Sequence, residues 1–287
     1  MLPLRSTCIV FLSFLLVTAQ ASPTEIEEFE IAVASGVRGT LTTAPGQPAE
    51  AVVLLLHGWA SQRDEVGDMF KRLASVLTAH GIASLRIDFR GEGERNGHRL
   101  TSTFAGRIAD AEAALAFLKK RHPDMPMGVV GFSLGGATSL ALVGRNPDAV
   151  NSLVLWSTSA DPAGDLFTNE ALKPIIHRAL ETGEATYQTW TDLVLTREHI
   201  KGMEGHELFG PLRDYRGALL TIRGTEDYVT NYDRRILAAA NGSPEEIVTI
   251  GNADHIFHTL DPSSSHDERA IALTIDWFGQ TLKVARR

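Results

Sequence analysis

The stretch GVVGFSLGGATSLALV, residues 128–143, joins a short apolar run to a helical pattern through Gly-Phe-Ser-Leu-Gly. A GxSxG sequence in this position predicts a sharp turn from a strand into a helix, with the serine strained and its Oγ exposed. Glycines two residues before and after the serine let the backbone approach closely enough for that turn. We therefore predict an α/β fold with Ser133 as a nucleophile. The alternative is that Gly135 and Gly136 only allow a helix to pack on a strand.

A histidine that follows the last predicted strand is the candidate general base. A serine hydroxyl is a weak nucleophile at neutral pH, so it needs a base, a carboxylate to orient that base and donors for an oxyanion. On sheets with this turn, the acid and then the histidine follow the serine, each just beyond a later strand. His255 is the first histidine after the strand predicted at 246–250. His258 belongs to the next turn, and His266 to a serine-rich loop.

Asp254, His255 and His258 have a spacing that metal sites can use. No other cluster of ligand residues accompanies them, and the single cysteine is Cys8 in the N-terminal segment. We therefore expect no bound metal. The remaining seven histidines (57, 80, 98, 122, 177, 199 and 206) are expected to be structural or surface residues.

Two adjacent carboxylates compete for the role of the acid. The apolar segment 218–223 predicts a strand, and the loop after it contains Glu226 and Asp227. We favour Asp227 because it lies farther into the loop. Glu226 is the alternative, and otherwise it is a solvated loop charge.

Backbone N–H groups are expected to receive the oxyanion, one from the residue after the nucleophile and one from the loop after an earlier strand. Leu134 supplies the first. The continuous apolar run 51–56 is typical of a strand buried on both faces, and His57-Gly58-Trp59 follows it at once. The N–H of Trp59 is therefore the predicted second donor, whether or not its side chain only packs.

Five motifs occur along the chain in a specific order. They are LLLHGW at 54–59, RIDFRGEGERNG at 86–97, VVGFSLGG at 129–136, RGTEDYV at 223–229 and NADHIF at 252–257. Together they resemble the α/β-hydrolase superfamily, and most closely its esterase and serine-aminopeptidase-like group, which includes cinnamoyl (feruloyl) esterases. The resemblance spans roughly residues 26–283. It implies an α/β-hydrolase fold with Asp227 as the acid. Glu92 and Arg223 depart from the pattern, since many relatives have histidine at these positions.

A glycine-rich loop at 91–97 invites a comparison with dinucleotide-binding turns, because it follows an apolar strand pattern at 82–89. A pyrophosphate needs bare N–H groups at a helix N-terminus, and the carboxylates of Glu92 and Glu94 would repel it. The sequence also lacks a GxxxxGK[ST] phosphate loop. We therefore expect no nucleotide and no other cofactor.

Alternating strand and helix patterns predict a mostly parallel central sheet flanked by helices, as one domain at 22–287. The segment at about 159–215 interrupts the alternation and predicts a short helical cap insertion, with helical patterns at 169–182 and 184–195. Three aromatic residues of the cap either line a pocket for an acyl or aryl group or pack the cap on the core. They are Phe167, Tyr187 and Trp190.

The N-terminal segment 1–21 has the order of a secretory signal peptide: Arg5, a short apolar stretch and an Ala-Gln-Ala cleavage pattern at 19–21. About ten apolar residues are too few to cross a bilayer, so we expect no stable membrane insertion and a secreted or periplasmic protein. An uncleaved anchor is the alternative. The net charge of −8 disfavours nucleic-acid or anionic-membrane partners.

The expected activity is that of a serine hydrolase acting on small-molecule carboxylic esters with small acyl or aryl groups. A serine aminopeptidase is the first alternative, because acids occur in the cap that could hold a substrate ammonium group. Most of them lie in amphipathic patterns where a solvated face explains them. The second alternative is a catalytically inactive binding protein on the same scaffold.

Overall fold

The computed structural model describes residues 26–34, 36–93 and 96–282. The signal peptide expected at 1–21 lies outside the described residues. None of the helices in the described ranges has the length and apolarity needed to span a bilayer.

The described residues form eleven strands, eight of which build the central sheet. In chain order they are β1 (Glu27–Ala34), β2 (Val37–Thr43), β3 (Ala51–Leu56), β4 (Ile82–Asp88), β5 (Arg99–Leu100), β6 (Met127–Phe132), β7 (Ser152–Trp156), β8 (Glu184–Gln188), β9 (Asp192–Thr196), β10 (Ala218–Gly224) and β11 (Glu245–Ile250). The central order is β1-β2-β4-β3-β6-β7-β10-β11. β1, β2 and β4 pair antiparallel, and the pairs from β4 to β11 are parallel.

Helices cover both faces of this sheet. They are α1 (Met69–Ala79), α2 (Phe104–Arg121), α3 (Leu134–Arg145), α4 (Pro162–Thr168), α5 (Lys173–Thr182), α6 (Arg197–Lys201), α7 (Asp233–Ala239) and α8 (His266–Thr281). Strand β3 shows the two layers, because Val52 and Leu54 join the cluster with α2, α3 and α7. Val53 and Leu55 join the opposite cluster with α1 and α8. Burial on both faces explains why the strand is apolar at every position.

The carboxyl ends of the parallel strands meet at one edge of the sheet, where sites of such folds are found. Ser133 follows β6, and the loops after β10 and β11 carry Asp227 and His255. The loop after β3 contributes Trp59. Four distant parts of the sequence therefore converge on this edge.

The insertion between β7 and β10 forms a cap of helices and strands. The prediction of a helix at 184–195 is wrong. This segment forms the antiparallel pair β8–β9, which β5 extends in parallel. Leu193 and Leu195 of β9 are buried at the two-residue spacing of a strand, and the buried Ala185 of β8 pairs with Leu195. The pattern predicted at 169–182 forms a helix from Lys173 onward, after the separate short helix α4.

Candidate active site

Ser133 lies at the turn between β6 and α3 with φ 52° and ψ −118°. A non-glycine residue in such a conformation costs of order 1–3 kcal/mol, and it persists only where the surroundings impose it. Here the surroundings are the backbone itself. A Cβ at Gly131 would lie 2.5 Å from the carbonyl oxygen of Gly135, and one at Gly135 would lie 1.9 Å from that of Leu56. Neither glycine can be replaced without moving the turn.

Ser133, His255 and Asp227 form a chain of hydrogen bonds. Nε2 of His255 lies 3.0 Å from Oγ of Ser133, and Nδ1 lies 2.8 Å from Oδ1 of Asp227. The side chain of Asp227 is fully buried, whereas Glu226 is exposed. The structure therefore places Asp227, and not Glu226, against the histidine. This is the geometry of a nucleophile, a general base and an orienting acid.

The loop after β3 lies directly beside this turn. Gly135 packs on the carbonyls of Leu56 and His57, so the first turn of α3 and the start of the loop are in contact. The amides of Trp59 and Leu134 have no hydrogen-bond acceptor among the described residues. Two unpaired N–H groups beside the turn that carries Ser133 are of the kind that can receive an oxyanion.

A family model for serine aminopeptidases of the S33 group, Hydrolase_4, matches residues 47–209, which is more than half of the chain. The chain belongs to this hydrolase family. It is 28% identical over 117 residues to the monoglyceride lipase of Mus musculus, a match that covers 39% of this chain and 36% of the lipase. It is 36% identical over 107 residues to the pimeloyl-[acyl-carrier protein] methyl ester esterase of Chromobacterium violaceum, covering 37% of each. The matched region thus spans little more than a third of these curated relatives.

Solved structures show that this Hydrolase_4 member has the α/β-hydrolase fold. Est1E from Butyrivibrio proteoclasticus with bound ferulic acid superposes with a TM-score of 0.68 at 17% identity, covering 88% of this chain and 100% of Est1E. The α/β hydrolase GrgF from Penicillium sp. sh18 gives 0.67 at 13% identity, covering 90% and 99%.

Asp227 accepts further hydrogen bonds within this α/β-hydrolase site. Oδ1 accepts from the amide of Val229 at 2.9 Å, and Oδ2 accepts from Nη1 of Arg223 at 2.7 Å. Burial by itself would raise the pKa of Asp227, but the hydrogen bond with His255 and the charges of His255 and Arg223 outweigh it. The pKa is held below its usual value, and the carboxylate stays ionised.

Arg223 is a contributor to the site that the sequence marked only as a departure from a pattern. Its side chain is buried, and it also lies 3.3 Å from Oδ2 of Asp233 and donates to the carbonyl of Thr158 at 2.8 Å. The sequence signal for this role is a charged residue at the end of a mostly apolar strand. Arg223 fixes the loop after β10 to the end of β7.

The sequence predicts that His199 is a structural or surface residue. It is buried, and it joins α6 of the cap to Trp59 in the loop after β3. Its Nε2 accepts a hydrogen bond from the indole N–H of Trp59 at 2.8 Å, and its Nδ1 lies 2.7 Å from the carbonyl of Ser102. This pattern defines a neutral imidazole with the proton on Nδ1. Burial lowers the pKa of His199, which favours the same neutral form.

Two aromatic rings lie next to His255. The ring of Tyr228 lies 4.9 Å from that of His255, and the ring of Phe132 lies 5.2 Å from it. Of the three cap aromatics, Phe167 and Tyr187 pack against the cap core, whereas Trp190 is 68% exposed.

Asp165 in α4 is a cap carboxylate close to the turn that carries Ser133. It accepts a hydrogen bond from Oγ of Ser159 at 2.5 Å, and the amide of Ser159 donates to the carbonyl of Ser133 at 3.2 Å. Burial raises the pKa of Asp165. In the described residues, no group of three or more His, Cys, Asp or Glu side chains is arranged to hold a metal ion.

Proposed function

We propose that the protein is a serine hydrolase that cleaves carboxylic esters through an acyl-enzyme. The observation that carries this proposal is the hydrogen-bonded chain from Ser133 through His255 to Asp227, next to the unpaired amides of Trp59 and Leu134. The names of the esterase and lipase relatives support the same bond type.

In the acylation step, Oγ of Ser133 attacks the ester carbonyl while Nε2 of His255 takes the hydroxyl proton. The N–H groups of Trp59 and Leu134 donate hydrogen bonds to the oxyanion. Asp227 holds the imidazole in the required tautomer and stabilises its charged form. The tetrahedral intermediate then expels the alcohol, which leaves with the proton from His255.

In the deacylation step, water attacks the acyl carbonyl and gives a proton to His255. The same two amides receive the second oxyanion. The acid is released when the intermediate collapses and His255 returns the proton to Ser133.

The proposed substrates are small-molecule esters with small acyl or aryl groups. Tyr228 and Phe132 offer aromatic surface next to His255. The ferulic acid in Est1E, whose fold is similar, is an aryl acid of the proposed size class.

A serine aminopeptidase is the second candidate, and Asp165 is the observation that favours it. A half-buried carboxylate near the serine could hold the ammonium group of a substrate, as the family description would require. Burial raises the pKa of Asp165, which disfavours the charged form that an ammonium group would need. We therefore expect p-nitrophenyl and hydroxycinnamate-type esters to have the higher kcat/KM, compared with alanine or proline p-nitroanilide. The opposite order would establish the peptidase.

The proposal is tested with Ser133→Ala and a fluorophosphonate label. By analogy with the subtilisin triad, turnover should fall on the order of a million-fold, and labelling should be lost while circular dichroism is unchanged. Ser157→Ala is the matched control, since Ser157 also has a positive φ of 44° and follows the neighbouring strand. A wild-type protein that neither reacts with the label nor hydrolyses any ester would instead be an inactive scaffold.

A further inference from the structure

The loop that carries the amide of Trp59 is held at the amides on either side of it. Gly58 donates its N–H to Oε2 of Glu65 at 2.6 Å, and Ala60 donates its N–H to Oε2 of Glu92 at 3.0 Å. The intervening amide of Trp59 has no acceptor among the described residues. Two buried carboxylates thus occupy the neighbouring donors and leave this one N–H available.

The carbonyl groups of the same loop are held by Arg107 of α2. Nη2 donates to the carbonyl of His57 at 2.6 Å, and Nη1 lies 3.5 Å from that of Gly58. Nε lies 3.3 Å from Oγ1 of Thr138 in α3. Because α3 begins with Leu134, a single guanidinium contacts both segments that supply the proposed oxyanion donors.

Glu92 and Arg107 form an ion pair whose side chains are both fully buried. Oε1 of Glu92, the oxygen that pairs with Arg107, also accepts from Oγ of Ser102 at 2.6 Å. Burial would raise the pKa of Glu92, but the charge of Arg107 together with smaller contributions, among them the hydrogen bond from Ser102, outweighs it and lowers that pKa, so the carboxylate is ionised.

A buried ion pair of this kind is a poor source of stability. The cost of removing two charges from water often equals their attraction, and well-packed apolar residues of similar size can replace such pairs without loss. Fixed hydrogen bonds and charges, in contrast, hold backbone N–H and C=O groups in a defined orientation. That orientation matters where donors must lie within hydrogen-bond distance of a developing oxyanion.

We infer that Glu92 and Arg107 are positioning residues for the proposed oxyanion hole. They orient the N–H of Trp59 and hold its loop against α3. This inference rests on the proposed ester hydrolysis. It assigns a role to Glu92, the residue at which the RGEG motif departs from the pattern that the chain otherwise resembles.

The first test is Glu92→Gln, measured with an oxygen ester and the corresponding thionoester. Removing a whole oxyanion donor costs about 10²–10³-fold in kcat, so a misaimed donor should cost about 10- to 100-fold, with KM nearly unchanged. A thiocarbonyl sulfur is larger and a weaker acceptor. The preference for the oxygen ester should therefore fall together with kcat, which a lower fraction of folded protein would not produce.

Glu92→Gln leaves Arg107 buried without a counter-ion and can destabilise the protein. The double variant Glu92→Leu with Arg107→Met removes both charges and is expected to fold. It should show the same loss of kcat and of oxygen-ester preference. Asp110→Asn is the control, because Asp110 is a buried acid of α2 that pairs with Arg90 and does not contact the loop. It should keep the wild-type preference.

Wild-type kcat and oxygen-ester preference in a folded double variant would overturn the inference and leave the proposed function intact. An equal loss of preference in Asp110→Asn would also overturn it. An unreactive wild-type protein would instead reject the proposed function itself, so the two failures are distinguishable.

Discussion

Asp227 and Glu226 are neighbours in one loop with opposite surroundings. Asp227 accepts from Arg223 and Val229 in addition to contacting His255, whereas Glu226 is exposed. We expect Asp227→Asn to lower kcat about ten-thousand-fold, as does loss of the orienting carboxylate in a serine protease. Glu226→Gln is the matched control and should retain full activity. Steady-state kinetics on one p-nitrophenyl ester compares the two, and the reverse ranking would assign the acid to Glu226.

Asp165 has a raised pKa because burial disfavours its charged form. The unfolded chain therefore loses this proton at a lower pH than the folded protein does. Folding stability from this group is greatest below the ordinary value of 3.8, and it decreases as the pH rises toward the folded-state pKa. We expect Asp165→Asn to increase the free energy of unfolding at about pH 7 and to change it little at about pH 3. Urea denaturation at both values measures this, and an equal gain at both would contradict the electrostatic cause.

At the scale of elements, the pair β8–β9 depends on side chains buried every second residue. Leu193 in β9 is fully buried, so Leu193→Ala should destabilise the protein by about 2–5 kcal/mol through lost burial and a cavity. Trp190→Ala changes the exposed turn of the same hairpin and should alter stability by less than about 0.5 kcal/mol. Chemical denaturation compares the two variants, and similar losses would contradict the burial assigned to β9.

The sequence predicts elements best where one local pattern decides them. The run 51–56 agrees with β3, and the apolar run and the helical pattern on either side of Gly-Phe-Ser-Leu-Gly agree with β6 and α3. The hairpin at 184–196 is wrongly predicted as a helix because short apolar segments fit helix and strand alike. Its pairing with β5 joins segments nearly a hundred residues apart, which no local pattern contains.

In the candidate site, too, residues that a local pattern marks differ from residues that act through contacts between distant segments. Ser133 and Trp59 follow from motifs at strand ends, and Asp227 and His255 follow from the order of strands. Other contributors, namely Glu65, Arg107, His199 and Arg223, act through buried contacts between distant segments. Their residue types are common on surfaces, so their roles depend on tertiary structure that the sequence alone did not reveal.

At the scale of the whole molecule, we propose that the protein is exported and that its mature form begins near Ser22. The reason is the order of Arg5, an apolar stretch and the Ala-Gln-Ala pattern at 19–21. Mass spectrometry of the protein from a fractionated host measures the N-terminus and the compartment together. A membrane-bound product that begins at Met1 or Leu2 would support the uncleaved anchor.

The cap packs on α2 and α3 through a third apolar cluster, apart from the two that enclose the sheet. Leu166, Ile176 and Leu193 belong to this cluster, whereas the strands that carry the triad are packed by the other two. The same cluster includes Ala60 and Leu134, so the cap shares apolar contacts with the two segments that carry the proposed oxyanion donors. For directed evolution of substrate range, a library confined to α5 and the β8–β9 hairpin would vary the cap and leave the contact of Asp165 with Ser159 in place.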